Sequence, residues 1–250
     1  MANKDLRDWL SDIDAAGELH VITGANLEED IGGIVDIVQR RMGNPAVMFD
    51  EVPGFPKGHR VMANLLTSVP RINVALGLPP DSSEMDLIQW WRDYMGRAPS
   101  FEPKEVNGGP LLENVQEGEE VNIKSIPTPV WHEYDGGPFI GTACIVVMKD
   151  PDSGWVNFGT YRVQSHEPRI ATLMMSQGKH GRHIMEKYHA RGEQCPVAVV
   201  VDMHPSLMMI GGLEIPYGKN EFEAVGGLMG EPIEIVRMPK TGLPVPANAE

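Results

Sequence analysis

The sequence predicts a mixed α/β protein built from two units, and three observations predict it. Over residues 1–98, apolar residues at helical spacing alternate with short β-branched runs. A stretch dense in Pro, Gly and Glu follows, with no sustained periodicity. Beyond it, strand-forming runs bounded by turn residues predominate.

Leu6, Trp9, Leu10 and Ile13 follow the i, i+3, i+4, i+7 spacing of one helix face, and Gly17 is placed to stop that helix. Ile31, Ile34, Val35 and Val38 repeat the pattern, although Gly32 and Gly33 weaken it by roughly 1 kcal/mol each. Residues 46–49 and 60–63 read as short strands flanking a Pro/Gly loop. Residues 83–95 predict a third helix with Ile88, Trp91 and Met95 inward. Residues 98–135 form the connector, and the domain boundary falls inside it, separating an N-terminal α/β unit (1–115) from a second unit (116–250). In that second unit, 140–148 and 155–163 are expected to pair as a hairpin across the loop at 150–154. Residues 169–175 and 196–203 are further strands, with a helix at 183–191 between them carrying Ile184 and Tyr188 on one face. Asn220 can cap a final helix, with Glu223 three residues on as in a capping box. Residues 232–238 are the last strand.

A chain of 250 residues can bury a sizeable core. Its net charge of −14, with no run of Lys or Arg, makes nucleic acid and anionic membrane surfaces poor partners. Cys144 and Cys195 sit in apolar runs beside β-branched residues, which fits free thiols in a reducing compartment better than a disulfide. No segment has the roughly 18 consecutive apolar residues of a membrane span. Residues 1–15 carry both charge signs and no signal-peptide core. These features predict a cytoplasmic protein.

The chemistry concentrates between Trp155 and Glu221. Asn157, His183 and Glu221 place an amide, an imidazole and a carboxylate in three separate local structures, with Arg162 beside the first. Each has an ordinary reading. A Glu at the first position of a helix is stabilised by the macrodipole without any ligand. A single His is commonly packed or solvated, and a strand Arg is commonly exposed. Asn157 is harder to dismiss, because Asn is depleted in strands and an amide among apolar residues needs a partner. Asn157 and Arg162 are five positions apart, so a regular strand would turn them to opposite faces. One pocket can use both only if the strand breaks, and Gly159 is where a bulge could form. An Asn oxygen, a His nitrogen and a Glu oxygen suit Mn²⁺ or Mg²⁺ rather than structural Zn²⁺. Three protein ligands leave octahedral positions for phosphate and water, and an arginine alongside can take a carboxylate or phosphate bidentately. The rival chemistry is a metal hydrolase using His180, His183 and His189. It is weakened because no carboxylate sits at the spacing those enzymes use.

With these residues in view, the chain resembles the UbiD-type decarboxylases from Asp5 to Glu250. The likeness is most specific at Asn157-Phe158-Gly159-Thr160-Tyr161-Arg162, and it recurs at 179–183 and at Pro216-x-Gly218-x-x-Glu221. It implies a split β-barrel flavin-binding domain after the N-terminal α/β domain. It also implies reversible, non-oxidative release of CO₂ from an aromatic, hydroxylated or heteroaromatic carboxylic acid, with prenylated FMN as cofactor. In that family the residues matching Asn157, His183 and Glu221 hold a Mn²⁺ that bridges to the flavin phosphate. By the same match Thr160, Tyr161, Arg162 and Arg182 touch the cofactor, and the carbonyls of Phe158, Ile210 and Leu213 help to hold K⁺. Arg162 matches the arginine of the family's Arg–Glu–Glu network, which implies that it binds the substrate carboxylate and tunes the flavin.

Two departures stand out. Some relatives place a hydroxyl at the potassium site where this chain has Gly211. The family also continues for about as many residues again, and its two catalytic glutamates and oligomerisation domain lie in that continuation. The resemblance therefore leads us to expect a homo-oligomer in full-length form, or a partner chain supplying the other half, with little turnover from these 250 residues alone. The alternative is a flavin- and metal-binding subunit that needs a partner chain for activity.

Overall fold

The computed structural model describes residues 5–97, 99–141 and 143–249. Residues 1–4, Ala98, Thr142 and Glu250 lie outside the described residues. With them go the start of the segment read as lacking a signal peptide, the first residue of the expected connector, one residue of the expected 140–148 strand, and the last residue of the resemblance.

The N-terminal part runs α1 (Leu6–Ala15), β1 (Leu19–Thr23), α2 (Asp30–Gln39), β2 (Ala46–Asp50), β3 (Val61–Ala63), α3 (Val69–Ala75) and α4 (Glu84–Arg97). Asp5 caps α1 by accepting from the Asp8 amide, and Gly17 ends its turn at φ 72°. Strand β1 pairs parallel to β2, which pairs antiparallel to β3. Ile31, Val47, Phe49 and Val61 build the core beneath α2. Gly32 has a packing role here, because a Cβ would lie 2.4 Å from the Trp131 carbonyl oxygen.

After a two-residue strand β4 (Lys104–Glu105) and three short 3-10 turns come β5 (Phe139–Gly141), β6 (Ile145–Lys149), β7 (Val156–Gly159), β8 (Arg162–Glu167) and β9 (Ile170–Met174). The chain closes with α5 (His180–Ala190), β10 (Ala198–Val200), α6 (Pro205–Gly212), α7 (Glu221–Met229), β11 (Glu234–Arg237) and β12 (Pro244–Pro246). Four three-stranded sheets result among the described residues, ordered β1-β2-β3, β10-β6-β7, β12-β11-β4 and β5-β8-β9, with no closed barrel. The fold is mixed α/β.

The expected 140–148 and 155–163 hairpin is present as β6 and β7, but the second arm is two strands in two sheets. Strand alternation then sorts the core. Ile145, Val147 and Phe158 face α6 and α7, while Cys144, Val146 and Met148 face α5. Both faces of the sheet are covered, which is why the whole run is apolar. Both cysteines are free, and burial pushes each thiol up to about 11. No helix among the described residues is long and apolar enough to cross a membrane.

Several expectations need correction. Of the three α4 residues expected inward, Trp91 packs against the core, whereas Ile88 and Met95 are 60% and 64% exposed and Leu87 and Tyr94 are buried instead. The inward face is set by Trp90 stacking on Tyr94 at 5.4 Å and by the Tyr94 hydroxyl donating to the Ala224 carbonyl at 3.0 Å. Helix α5 begins at His180 rather than 183. Asn220 does cap α7, accepting from the Phe222 amide at 3.0 Å, but the Glu223 carboxylate accepts from Ser100 Oγ at 3.0 Å instead of completing a capping box. Strand β1 and helices α3 and α6 were not anticipated.

One buried ion pair fastens the N-terminal part. Arg71 in α3 is fully buried, and its guanidinium donates to Glu18 Oε2 at 2.6 Å, to the carbonyls of Asn44 and Leu65, and to Thr67 Oγ1. Trp9 of α1 donates to the Arg71 carbonyl at 3.3 Å. Removing one partner of such a pair strands the other's charge. We expect Glu18→Ala to cost roughly 3 kcal/mol in urea unfolding, at the lower end for a buried pair because Glu18 is partly exposed. An unchanged midpoint would show that the pair carries no net stability.

Candidate functional site

Strand β7 is the edge of its sheet, and an edge leaves main-chain groups unpaired. The Phe158 amide is met by the side chain of Glu221, whose Oε2 accepts from it at 3.2 Å. The other carboxylate oxygen accepts from Asn157 Nδ2 at 2.5 Å. Glu221 opens α7, where the helix dipole favours a negative charge. Asn157 and Glu221 are each only 2% exposed.

This pair is not fully satisfied. Asn157 Oδ1 is buried and has no hydrogen-bond partner. Burial, outweighing the hydrogen bonds from Phe158 and Asn157, pushes the Glu221 carboxyl up to about 7. An orphaned amide oxygen beside a desolvated carboxylate is a hard-oxygen donor set that a divalent cation would satisfy. The residues present therefore fit Mn²⁺ or Mg²⁺.

His183 lies in the first turn of α5, the helix covering the Asn157 face of the sheet. Its side chain is exposed, and no hydrogen bond among the described residues links it to Asn157 or Glu221. The structure thus joins two of the three metal-ligand candidates directly and sets the third on the neighbouring helix. No group of three His, Cys, Asp or Glu among the described residues could hold a metal, which removes support from the three-histidine hydrolase reading.

Between Asn157 and Arg162 the chain leaves the sheet at Thr160 and Tyr161. β7 ends at Gly159 and β8 begins at Arg162 in a different sheet, so the expected break is there. Thr160 is tied to the end of α6, its amide donating to the Gly211 carbonyl at 3.1 Å. Tyr161 turns inward, and its hydroxyl accepts from the Gly181 amide at 3.1 Å. A Cβ on Gly159 would lie 2.9 Å from that ring. Burial raises the Tyr161 phenol. Arg182 donates to Glu186 one turn along α5, at 2.7 Å. The carbonyls of Phe158, Ile210 and Leu213 each already accept one hydrogen bond.

Arg162 is exposed and its guanidinium lies 5.6 Å from the centre of the Phe139 ring. It lines a cavity of about 500 Å³ together with Phe139, Trp131, Arg60, Asn64 and Met203. The Asn157–Glu221 pair does not line that cavity. Sequence reasoning missed one participant, the Phe158 main-chain amide, which leaves no trace in residue type.

Comparison with known proteins places this geometry in context. A family model described as 3-octaprenyl-4-hydroxybenzoate carboxy-lyase Rift-related domain (UbiD) matches residues 104–250, and the corresponding N-terminal domain model matches residues 10–91. The chain is 32% identical over 256 residues to pyrrole-2-carboxylic acid decarboxylase of Pseudomonas aeruginosa, covering 98% of this chain and 51% of that protein. It superposes on vanillic acid decarboxylase of Sedimentibacter hydroxybenzoicus in closed form with a TM-score of 0.92 at 27% identity, covering 100% of this chain and 54% of that one. An evolved dimeric form of a UbiD-class enzyme from Pelotomaculum thermopropionicum, in complex with prFMN, gives 0.88 at 23% identity, covering 99% and 56%. At that identity the likeness speaks to the fold alone. The chain spans about half the length of the relatives it matches.

The Glu221 environment makes a pH prediction for the chelator-treated chain. Its folded-state carboxyl titrates near 7 against an unfolded value of 4.5. The folded state therefore holds the proton more tightly, and stability from this group is full below the unfolded value and lost as pH rises through about 7. We expect a loss of roughly 2–3 kcal/mol between pH 4.5 and 8 in urea unfolding that is absent in Glu221→Gln. Equal pH slopes for the two proteins would contradict it.

Proposed function

Because the chain belongs to the UbiD family of carboxy-lyases, we propose that it carries the flavin- and metal-binding part of a reversible, non-oxidative decarboxylase acting on an aromatic carboxylic acid. The relatives named for pyrrole-2-carboxylic acid and vanillic acid support the aromatic class. The observation that carries the reading is the orphaned Asn157 Oδ1 beside the desolvated Glu221 carboxylate.

On this reading Asn157, His183 and Glu221 would hold a Mn²⁺, with Thr160, Tyr161, Arg162 and Arg182 toward prenylated FMN and the Phe158, Ile210 and Leu213 carbonyls toward K⁺. When bound, the prenylated flavin would supply an electron sink for the decarboxylation, and the divalent ion held by Asn157, His183 and Glu221 would supply positive charge for an anionic group of the cofactor. Arg162 receives the substrate carboxylate through its paired N–H donors, orienting the bond to be broken. Phe139 braces the guanidinium from one side, and the apolar wall formed by Trp131, Phe139 and Met203 excludes water from the carbon left behind. Proton delivery needs an acid within reach of that carbon. Glu221 and Glu223 are already held, by Asn157 and by Ser100, and Glu214 lies 3.9 Å from Lys179. Of the carboxylates lining the Arg162 cavity, Asp36 is held by Arg40, Asp135 by the His132 amide, and Asp202 is engaged as well. We assign the donor to the half of the relatives' length that this chain does not span, supplied by a longer chain or a separate subunit.

The test is anaerobic CO₂ release, or isotope exchange into an aromatic acid, with prenylated FMN and Mn²⁺. We expect turnover once the other half is supplied, and little from these 250 residues alone. Glu221→Gln should lower bound Mn²⁺ and retained flavin together, each by at least about tenfold. Full Mn²⁺ retention in that variant, or brisk turnover by the 250-residue chain by itself, would sink the assignment.

A further inference from the structure

Three aromatic rings close into a triangle on the segments that lead into the ligand candidates. The ring centres of Trp155 and Tyr217 are 4.6 Å apart at 56°, those of Trp155 and His180 5.2 Å at 70°, and those of His180 and Tyr217 5.5 Å at 84°. Tilted and edge-on pairs at these separations attract beyond the area they bury.

Each ring stands on a different segment, and each segment carries one ligand candidate. Trp155 precedes Asn157 by two residues and packs with the same cluster under α5, so both side chains face that helix. His180 precedes His183 by three residues on α5, a spacing that makes them neighbours on one helix face. Tyr217 lies in the turn four residues before Glu221. The turn is tied further by Trp155 Nε1, which donates to the Lys219 carbonyl at 2.8 Å, directly before the Asn220 cap. From α5, Lys187 donates to Asp150 at 2.5 Å and reaches the Tyr217 hydroxyl at 3.4 Å. The Asn157–Glu221 hydrogen bond already fixes two donors against each other. His183 has no such direct link.

Resting on the metal reading above, we propose that Trp155, His180 and Tyr217 are positioning residues. Their ring triangle registers α5 against β7 and the turn before α7, so that His183 meets the same divalent cation as Asn157 and Glu221. The triangle acts on the metal only through the three segments and touches none of its ligand atoms.

Tyr217 is the ring to cut, because it is 58% exposed and its loss removes little core. The chelator-treated chain is titrated with Mn²⁺, reading free ion by electron paramagnetic resonance and the coupling of bound ion to imidazole nitrogen by pulsed methods. Tyr217→Ala should weaken Mn²⁺ binding about 10- to 100-fold, the usual range for a residue that orients a ligand, and should shrink the nitrogen coupling. Its metal-free thermal midpoint should match the parent chain, and Tyr217→Phe should restore affinity and coupling. Parent-like affinity and coupling in Tyr217→Ala would overturn the proposal. So would failure of Tyr217→Phe to rescue, or an affinity loss matched by an equal loss of metal-free stability. A parent chain that binds no Mn²⁺, or a Glu221→Gln variant that binds it equally well, would overturn the metal reading instead.

Discussion

The site depends on one buried carboxylate. Glu221 opens α7 inside the protein, where an ionised group costs several kcal/mol unless it is compensated. Three sources contribute: an edge-strand amide, the Asn157 side chain and the N-terminus of the helix it begins. They fall short, as the upward shift of its carboxyl shows. Asn157 is incomplete in the complementary way, with its donor used and its acceptor idle. Both shortfalls lie at one place, and the proposed cation would satisfy both. Glu221 serves the fold by accepting from the Phe158 amide, but nothing among the described residues answers the idle Asn157 oxygen.

The geometry around that pair follows from where β7 stops. Because the chain leaves one sheet at Gly159 and enters another at Arg162, six consecutive residues serve different surroundings. Asn157 faces α5, Phe158 faces α6 and α7, Tyr161 is wedged against Gly181, and Arg162 lines a separate cavity. A continuous strand could not do this, since alternation offers only two directions. Tyr161 also closes the break, its hydroxyl satisfying an amide at the start of α5.

Much of this was legible in the sequence, and what was not has physical reasons. Helices α1 and α2 were readable because their apolar residues keep one face, and Asn157 drew attention as an amide in a strand. The orientation of α4 was not readable. Its residues Leu87, Trp90, Trp91 and Tyr94 compete with Ile88 and Met95 for the inward face, and the contest is settled by Tyr94 reaching Ala224, 130 residues away. Helix α3 is short and rich in β-branched residues, and its place is fixed by the buried Arg71 pairing with Glu18. The meeting of Asn157 with Glu221 spans 64 residues and involves a main-chain amide, so neither spacing nor composition could give it. The family motifs supplied those partners as a resemblance.

The chain belongs to the UbiD family and spans about half the length of the relatives it matches. The central claim is narrower: a divalent cation sits between Asn157 and Glu221, within reach of His183. Anomalous diffraction at the manganese edge, from crystals of the chain grown with Mn²⁺ and flavin mononucleotide, tests it most directly. The account predicts one strong peak at bonding distance from Asn157 Oδ1 and a Glu221 oxygen, with the His183 imidazole completing the set. Ordered flavin with no peak at that position, or a peak held by other residues, would contradict it.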